Sequence, residues 1–189
     1  YARGGWGWLL GFIALVPWLW TLDRLQSFGT VLASAALMSS AFVAAALGWF
    51  GPAFGAYVGI DSALATGMLL LFAPALQPQF LAFALVRRLA ACRHGAWLGA
   101  LAAAAAWVGC EWLFPKLLGD TLGHGLQPSL WFRQAADLGG AAGLTFMLLL
   151  VNEGLTRALG AGRAAWRPLS MAALLVAAMA GYGAWRIAS

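Results

Sequence analysis

The chain has 189 residues, of which 63% are hydrophobic and only 9% charged, against the ~25% charged residues of an ordinary soluble domain. So little polar side chain cannot cover a water-soluble fold of this size, which excludes one. The net charge of +5 comes from eleven Lys and Arg scattered along the chain; they form no basic stripe with interleaved aromatics, so nucleic acid is excluded as a partner. The composition fits an all-α polytopic membrane bundle. There lipid solvates apolar side chains, small residues let helices approach, and Trp collects at the interfaces.

Six segments have about the ~20 residues that cross a hydrocarbon core, and together they make a single transmembrane domain. The first covers about residues 5–22, with Pro17 near its far end. The second, about 28–50, is rich in Ala and Ser. The third, about 62–85, holds Pro74 and Pro78, and a kink is predicted there, with neighbours re-satisfying the freed carbonyl. The fourth, about 96–114, has five consecutive alanines before Trp107; the fifth is about 138–159 and the sixth about 169–187. The first segment follows Tyr1 at once and lacks an A-x-A-like cleavage site, so it is not a signal peptide. A start without Met leads us to expect that the chain was cut from something longer.

The connections alternate in charge. Arg24, then Arg87, Arg88 and Arg93, then Arg157, Arg163 and Arg167 fall on one side; the other side has Lys116 and Arg133. The positive-inside rule puts the arginine side in the cytoplasm and both ends of the segment outside. On the outer side, residues 50–61 read as a glycine- and aromatic-rich loop that begins next to Trp49, an interfacial aromatic. Residues 115–137 form the longest loop, with Lys116, Asp120, His124, Gln127 and Arg133 on it.

Several polar residues are candidates for a role. Glu111 is costly near a helix end unless it is paired or faces water; it is either a substrate-facing or loop-anchoring carboxylate, or an interfacial one held by Lys116 or Arg133. His124 lies between Gly123 and Gly125 with Asp120 four residues before it, yet it lacks the oriented partner that a general base needs. Asn152, deep in the fifth segment, is expected to bridge helices. Glu153 and Arg157 form an i, i+4 pair. Asp137 before Gly139 and Gly140 reads as the N-terminal cap of the fifth segment. Cys92 and Cys110 have no base and acid partners and offer no zinc spacing, so no metal and no cofactor are expected. Cys110→Ala should be nearly silent. The chain shows no complete active site of its own.

The run from Trp107 to Glu153 resembles the membrane domain of apolipoprotein N-acyltransferases. Its matching residues are Glu111, Trp112, Gly119, Gly123, Gln134, Asp137, Gly139, Gly140, Gly143 and Asn152. The stretch LLGFIALVPWLW at residues 9–20 and GWFG at residues 48–51 are similar to the family's second helix and the end of its third. The resemblance implies eight helices with a nitrilase-like domain between the seventh and eighth, of which this chain supplies helices two to seven. It also implies an inner-membrane enzyme of lipoprotein maturation, with a Glu-Lys-Cys triad on the nitrilase-like domain. That triad passes an acyl chain from a membrane phospholipid to the N-terminal amine of a lipoprotein. None of the triad positions is in this chain, so Glu111, Lys116 and the two cysteines take no catalytic role. The residues left for contact with lipid or for structure are Trp49, Glu111, Trp112, Asp120, Gly123, His124, Asp137, Gly139, Gly140 and Asn152. Two other readings stay open. One is a stand-alone lipid-binding module that anchors a separate catalytic partner. The other, a small transporter, would need an ionisable residue at mid-span, where segments two to four show none.

Overall fold

Every regular element is helical, and no strand occurs among residues 5–114 and 119–189, the residues that the computed structural model describes. Lys116 and the rest of 115–118 lie outside them. The described residues start with a 3-10 stretch, Gly5–Phe12, which turns into α1 (Val16–Leu22). Pro17 stands in the first turn of α1, where no backbone N–H is needed. α2 (Phe28–Leu47) opens with Ser27, whose Oγ accepts from the Thr30 N–H at 3.1 Å.

Residues 50–58 are not a loop as expected. They form α3 (Phe50–Val58), which ends at Gly59 in a left-handed conformation, φ 80°. Pro52 falls in the first turn, where a helix tolerates it, and the buried face of α3, with Gly51 and Gly55, packs on α4 (Ser62–Leu76).

The kink expected from Pro74 and Pro78 is a full break. α4 ends at Leu76, α5 (Gln79–His94) restarts after Pro78, and the two axes differ by 43°. Pro74 has no N–H to give the carbonyl four residues back, Leu70. Ser40 Oγ of α2 donates to that carbonyl at 3.0 Å, and the adjacent Ser39 Oγ lies 3.3 Å from the Gln77 carbonyl. Ser40 of the second segment thus supplies the donor that Pro74 of the third removes.

α6 (Ala96–Leu113), the short α7 (Leu130–Gln134), α8 (Gly140–Gly160) and α9 (Trp166–Ala188) complete the bundle. Four stretches are long and apolar enough to cross a bilayer: α2, α6, α8, and α9 with its preceding turn. The broken pair α4–α5 makes a fifth, and the first apolar segment, Gly7–Leu22, is shorter.

α8 is the central element. One side of it, with Leu149 and Leu150, packs into an aromatic core of Trp18, Phe80, Phe83 and Trp107. Its Leu144, Leu148 and Val151 join a second cluster with Phe132 and Met179. Asn152 bridges helices as expected. Its Oδ1 accepts from the Leu15 N–H at 3.0 Å and its Nδ2 donates to the Gly11 carbonyl at 2.9 Å. A side chain of α8 therefore closes the backbone gap where the 3-10 stretch becomes α1.

The arginine-bearing connections meet at one end of the bundle. Glu153 is fully buried and receives both the Nε and the Nη2 of Arg87, the latter at 3.0 Å. Arg87 Nη1 also reaches Asp23 at 2.7 Å. The expected Glu153–Arg157 pair is present at 3.2 Å, but it is the lesser contact of that carboxylate. At the opposite end Trp8 packs on Phe132, ring centroids 5.5 Å apart, and Arg186 pairs with Asp137 at 2.9 Å. The described beginning and end of the chain thus share the end that carries residues 119–139.

That last pair corrects the reading of Asp137 as a cap. α8 begins at Gly140 with Gly139 before it and no side-chain cap bond. Asp137 belongs to the 3-10 turn Ala135–Leu138. Gly140 takes φ 64°, a left-handed turn that glycine adopts without cost. The turn separates the carboxylate from the first N–H groups of the helix.

Candidate functional site

Glu111 stands one turn after Trp107 on α6, so both side chains lie on one face of the helix. Trp107 Nε1 donates to Glu111 Oε1 at 3.0 Å, and the indole is itself held in the aromatic core against Phe80, centroids 4.5 Å apart. Thr121 Oγ1 donates to Glu111 Oε2 at 2.9 Å. Thr121 and Thr145 hydroxyls are 2.6 Å apart, and the Gly123 N–H reaches Thr145 Oγ1 at 2.8 Å. Each hydroxyl has one proton to give. With Thr121 spending its own on the carboxylate, Thr145 gives its proton across the 2.6 Å contact to Thr121 in preference to the Ala141 carbonyl at 3.0 Å, and the bonds run from Gly123 N–H to Thr145 to Thr121 to Glu111. Chains of this kind polarise one another and gain strength from the charge at their end.

The chain of bonds fastens the segment after residue 118 to α6 and α8. Gly123 has to be glycine for it to close, because a Cβ there would lie 2.1 Å from the Ala141 carbonyl oxygen. Thr145→Val keeps the shape and removes the hydroxyl, which leaves the buried Gly123 N–H unpaired at a cost of about 1–3 kcal/mol. The expected result is faster amide exchange confined to residues 119–126; exchange unchanged there would sink the assignment.

Beside this network lies an apolar cleft of about 410 Å³, bounded by Val108 and Trp112 of α6, Leu138, Gly143 and Phe146 of α8's side, and Met179 of α9. Gly143 has open space where a Cβ would stand. A second recess of about 390 Å³ adjoins it and is lined by Glu111, Trp112, Gly119, Asp120, Thr121 and Ala142. Trp112 and Ala142 border both. An apolar slot therefore meets a polar mouth across the half-wall made by Trp112, which is 81% exposed.

The residues singled out from sequence divide accordingly. Glu111, Trp112, Asp120 and Gly139 border the two recesses, and Gly123 and Gly140 shape the backbone beside them. Asn152 belongs to the core and Asp137 to the pair with Arg186. His124 is exposed on the 3-10 turn Leu122–Leu126, and among the described residues no hydrogen bond joins it to Asp120. Trp49 is exposed at the α2–α3 break, edge-on to Phe50 and away from the cleft. No ion pair links Arg133 to Glu111 among the described residues, and Lys116, the other expected partner, lies outside them. Thr121, in a loop, and Thr145, in an apolar helix, escape a sequence reading, since residue type marks neither as a partner of Glu111. The i, i+4 spacing of Trp107 and Glu111 is the signal that points to the pair.

A sequence model of the apolipoprotein N-acyltransferase N-terminal domain matches residues 1–153. The chain belongs to that family. No curated protein and no solved structure matches it. As an apolipoprotein N-acyltransferase N-terminal domain it is a multi-pass membrane domain, in keeping with its apolar helices. The match takes in α6, the Glu111 network and α8 as far as Glu153, while α9 and Met179 of the cleft lie beyond it. Among the described residues no group of three or more His, Cys, Asp and Glu is placed to hold a metal.

Proposed function

We propose that this chain is the bilayer part of an inner-membrane acyltransferase that moves an acyl chain from a phospholipid to the N-terminal amine of a lipoprotein. Its task is to receive acyl chains from the lipid and to anchor a nitrilase-like catalytic domain at the surface beside residues 119–139. The arginine-rich end faces the cytoplasm and the opposite end the periplasm, by the positive-inside rule. The observation that carries this reading is the apolar cleft joined to a polar recess at Trp112. An acyl chain gains little by leaving lipid for an equally apolar wall. A fixed slot acts instead by holding the chain in one position, with its ester near the polar mouth, and positioning is where much of the catalytic gain of a two-substrate enzyme arises. Bond making is assigned to no residue of this chain.

The test uses the intact protein in nanodiscs that contain a phospholipid with a photoreactive acyl chain. Adducts are expected on Trp112, Phe146 and Met147. Gly143→Trp, which fills the slot from a position with free space, is expected to bring them near background. The same variant should insert normally yet lower lipoprotein N-acylation in cells. Adducts spread evenly over the lipid-facing sides of α2 and α9, and unmoved by Gly143→Trp, would refute the proposal.

A further inference from the structure

The arginine-rich end has a charge imbalance that the network of Arg87 and Glu153 does not remove. Asp23 and Glu153 serve Arg87, and Glu153 also serves Arg157. The next residue along α5, Arg88, has no carboxylate against it among the described residues. Its Nη1 donates to the Leu25 carbonyl at 2.7 Å and its Nη2 to the Gln26 carbonyl. The guanidinium carbon lies 5.1 Å from the centre of the Phe28 ring. Its Nε is buried and has no hydrogen-bond partner among the described residues. These neutral contacts hold the cation in place and leave its charge uncompensated.

Arg88 borders a pocket of about 170 Å³ together with Asp23, Leu25, Val31, Arg87 and Cys92. Asp23 is already engaged by Arg87 at 2.7 Å. α2 begins at Phe28 alongside, so the positive end of a 20-residue helix adds to the potential there. On the same two helices Phe28, Leu32 and Leu89 carry apolar side chains that are 49%, 39% and 42% exposed. A basic pocket between membrane helices with an apolar skirt matches a phospholipid headgroup with its chains. We infer that this pocket binds the phosphate of an anionic phospholipid in the leaflet at the arginine-rich end, with Arg88 as its principal ligand. A net negative headgroup is favoured over a zwitterionic one because seven arginines stand at this end against Asp23 and Glu153. The inference does not depend on the acyl-transfer reading, since the pocket lies at the other end of the bundle from the cleft.

The test places the intact protein in phosphatidylcholine nanodiscs with a minor fraction of phosphatidylglycerol and counts the lipids retained by native mass spectrometry. The wild type is expected to retain phosphatidylglycerol preferentially. Arg88→Gln should lower that retention about tenfold, the usual scale of a lost charge-assisted hydrogen bond. Because Arg88 also pins the turn at Leu25 and Gln26, a second variant keeps every arginine. Cys92→Trp, at an exposed position, blocks the pocket and should weaken retention as much. Arg163→Gln, which removes an exposed charge at the same end, should leave retention intact. Inorganic phosphate at millimolar concentration should not displace the lipid. Retention unchanged in both Arg88→Gln and Cys92→Trp, an equal loss in Arg163→Gln, or displacement by inorganic phosphate would each overturn the inference.

Discussion

Arg87→Met is expected to lower the stability of the bundle by about 3 kcal/mol, the low end of the range for breaking a buried ion pair from one side. The low end applies because Arg157 still reaches Glu153 at 3.2 Å, and because Asp23, whose side chain is 46% exposed, recovers water when Arg87 leaves. The cost that remains is that of Glu153, fully buried and deprived of the two nitrogens that held both its oxygens. A thermal unfolding midpoint in detergent micelles reads the effect. Arg87→Met with Glu153→Leu should be less damaging than Arg87→Met alone, because a buried pair replaced by apolar side chains leaves no stranded charge. A double variant as unstable as the single one would show that the loss is one of packing and not of charge.

The second large effect is expected from Asn152→Leu. Three hydrogen bonds go, but they are not equal. The Leu148 carbonyl at 2.8 Å lies within α8's own ladder, whereas the Leu15 N–H and the Gly11 carbonyl lie at the join between a 3-10 stretch and α1. Each buried group left unpaired costs about 1–3 kcal/mol. Interhelical bonds in membranes average nearer ~0.6 kcal/mol, because side chains in the unfolded reference find other partners. Backbone groups at a helix break have fewer alternatives, so roughly 2–3 kcal/mol is expected in total. The discriminating measurement is amide exchange over residues 9–16, which should quicken more than exchange within α6. Uniform acceleration across the bundle would mean that Asn152 acts on global stability and not on the join.

The contrast between Asn152 and Glu153 shows what the chain discloses before it is folded. An amide alone in an apolar run has one economical use, so its bridging is readable from position. The apolar stretches and the break at Pro74 and Pro78 are readable for the same reason: the signal is local. Arg87 is different. Hydropathy ends the third segment near residue 85, and this assigns the arginine to a connection. In the structure α5 runs on to His94 and Arg87 faces the core, 66 residues from its carboxylate. Only the tertiary arrangement pairs them. Asp137 misleads in the opposite way. Asp-Leu-Gly-Gly looks like a helix start, and the left-handed turn at Gly140 is not visible in residue type alone. At the candidate site, Glu111 and Trp112 stand out as polar and aromatic residues at a helix end. The slot itself is made by the way α6, the start of α8 and α9 splay around Gly143, and such a gap has no signature in a sequence.

The order of Asp23, Arg87 and Glu153 along the chain has a consequence for synthesis. At ribosomal rates of about 5–20 residues per second, the 66 residues between Arg87 and Glu153 take about 3–13 seconds to emerge. For that interval the guanidinium is without its main carboxylate. Asp23 has already been made by then, and in the finished bundle it still holds Arg87 Nη1. It is thus available as a first counter-ion, half in water, before α8 is made.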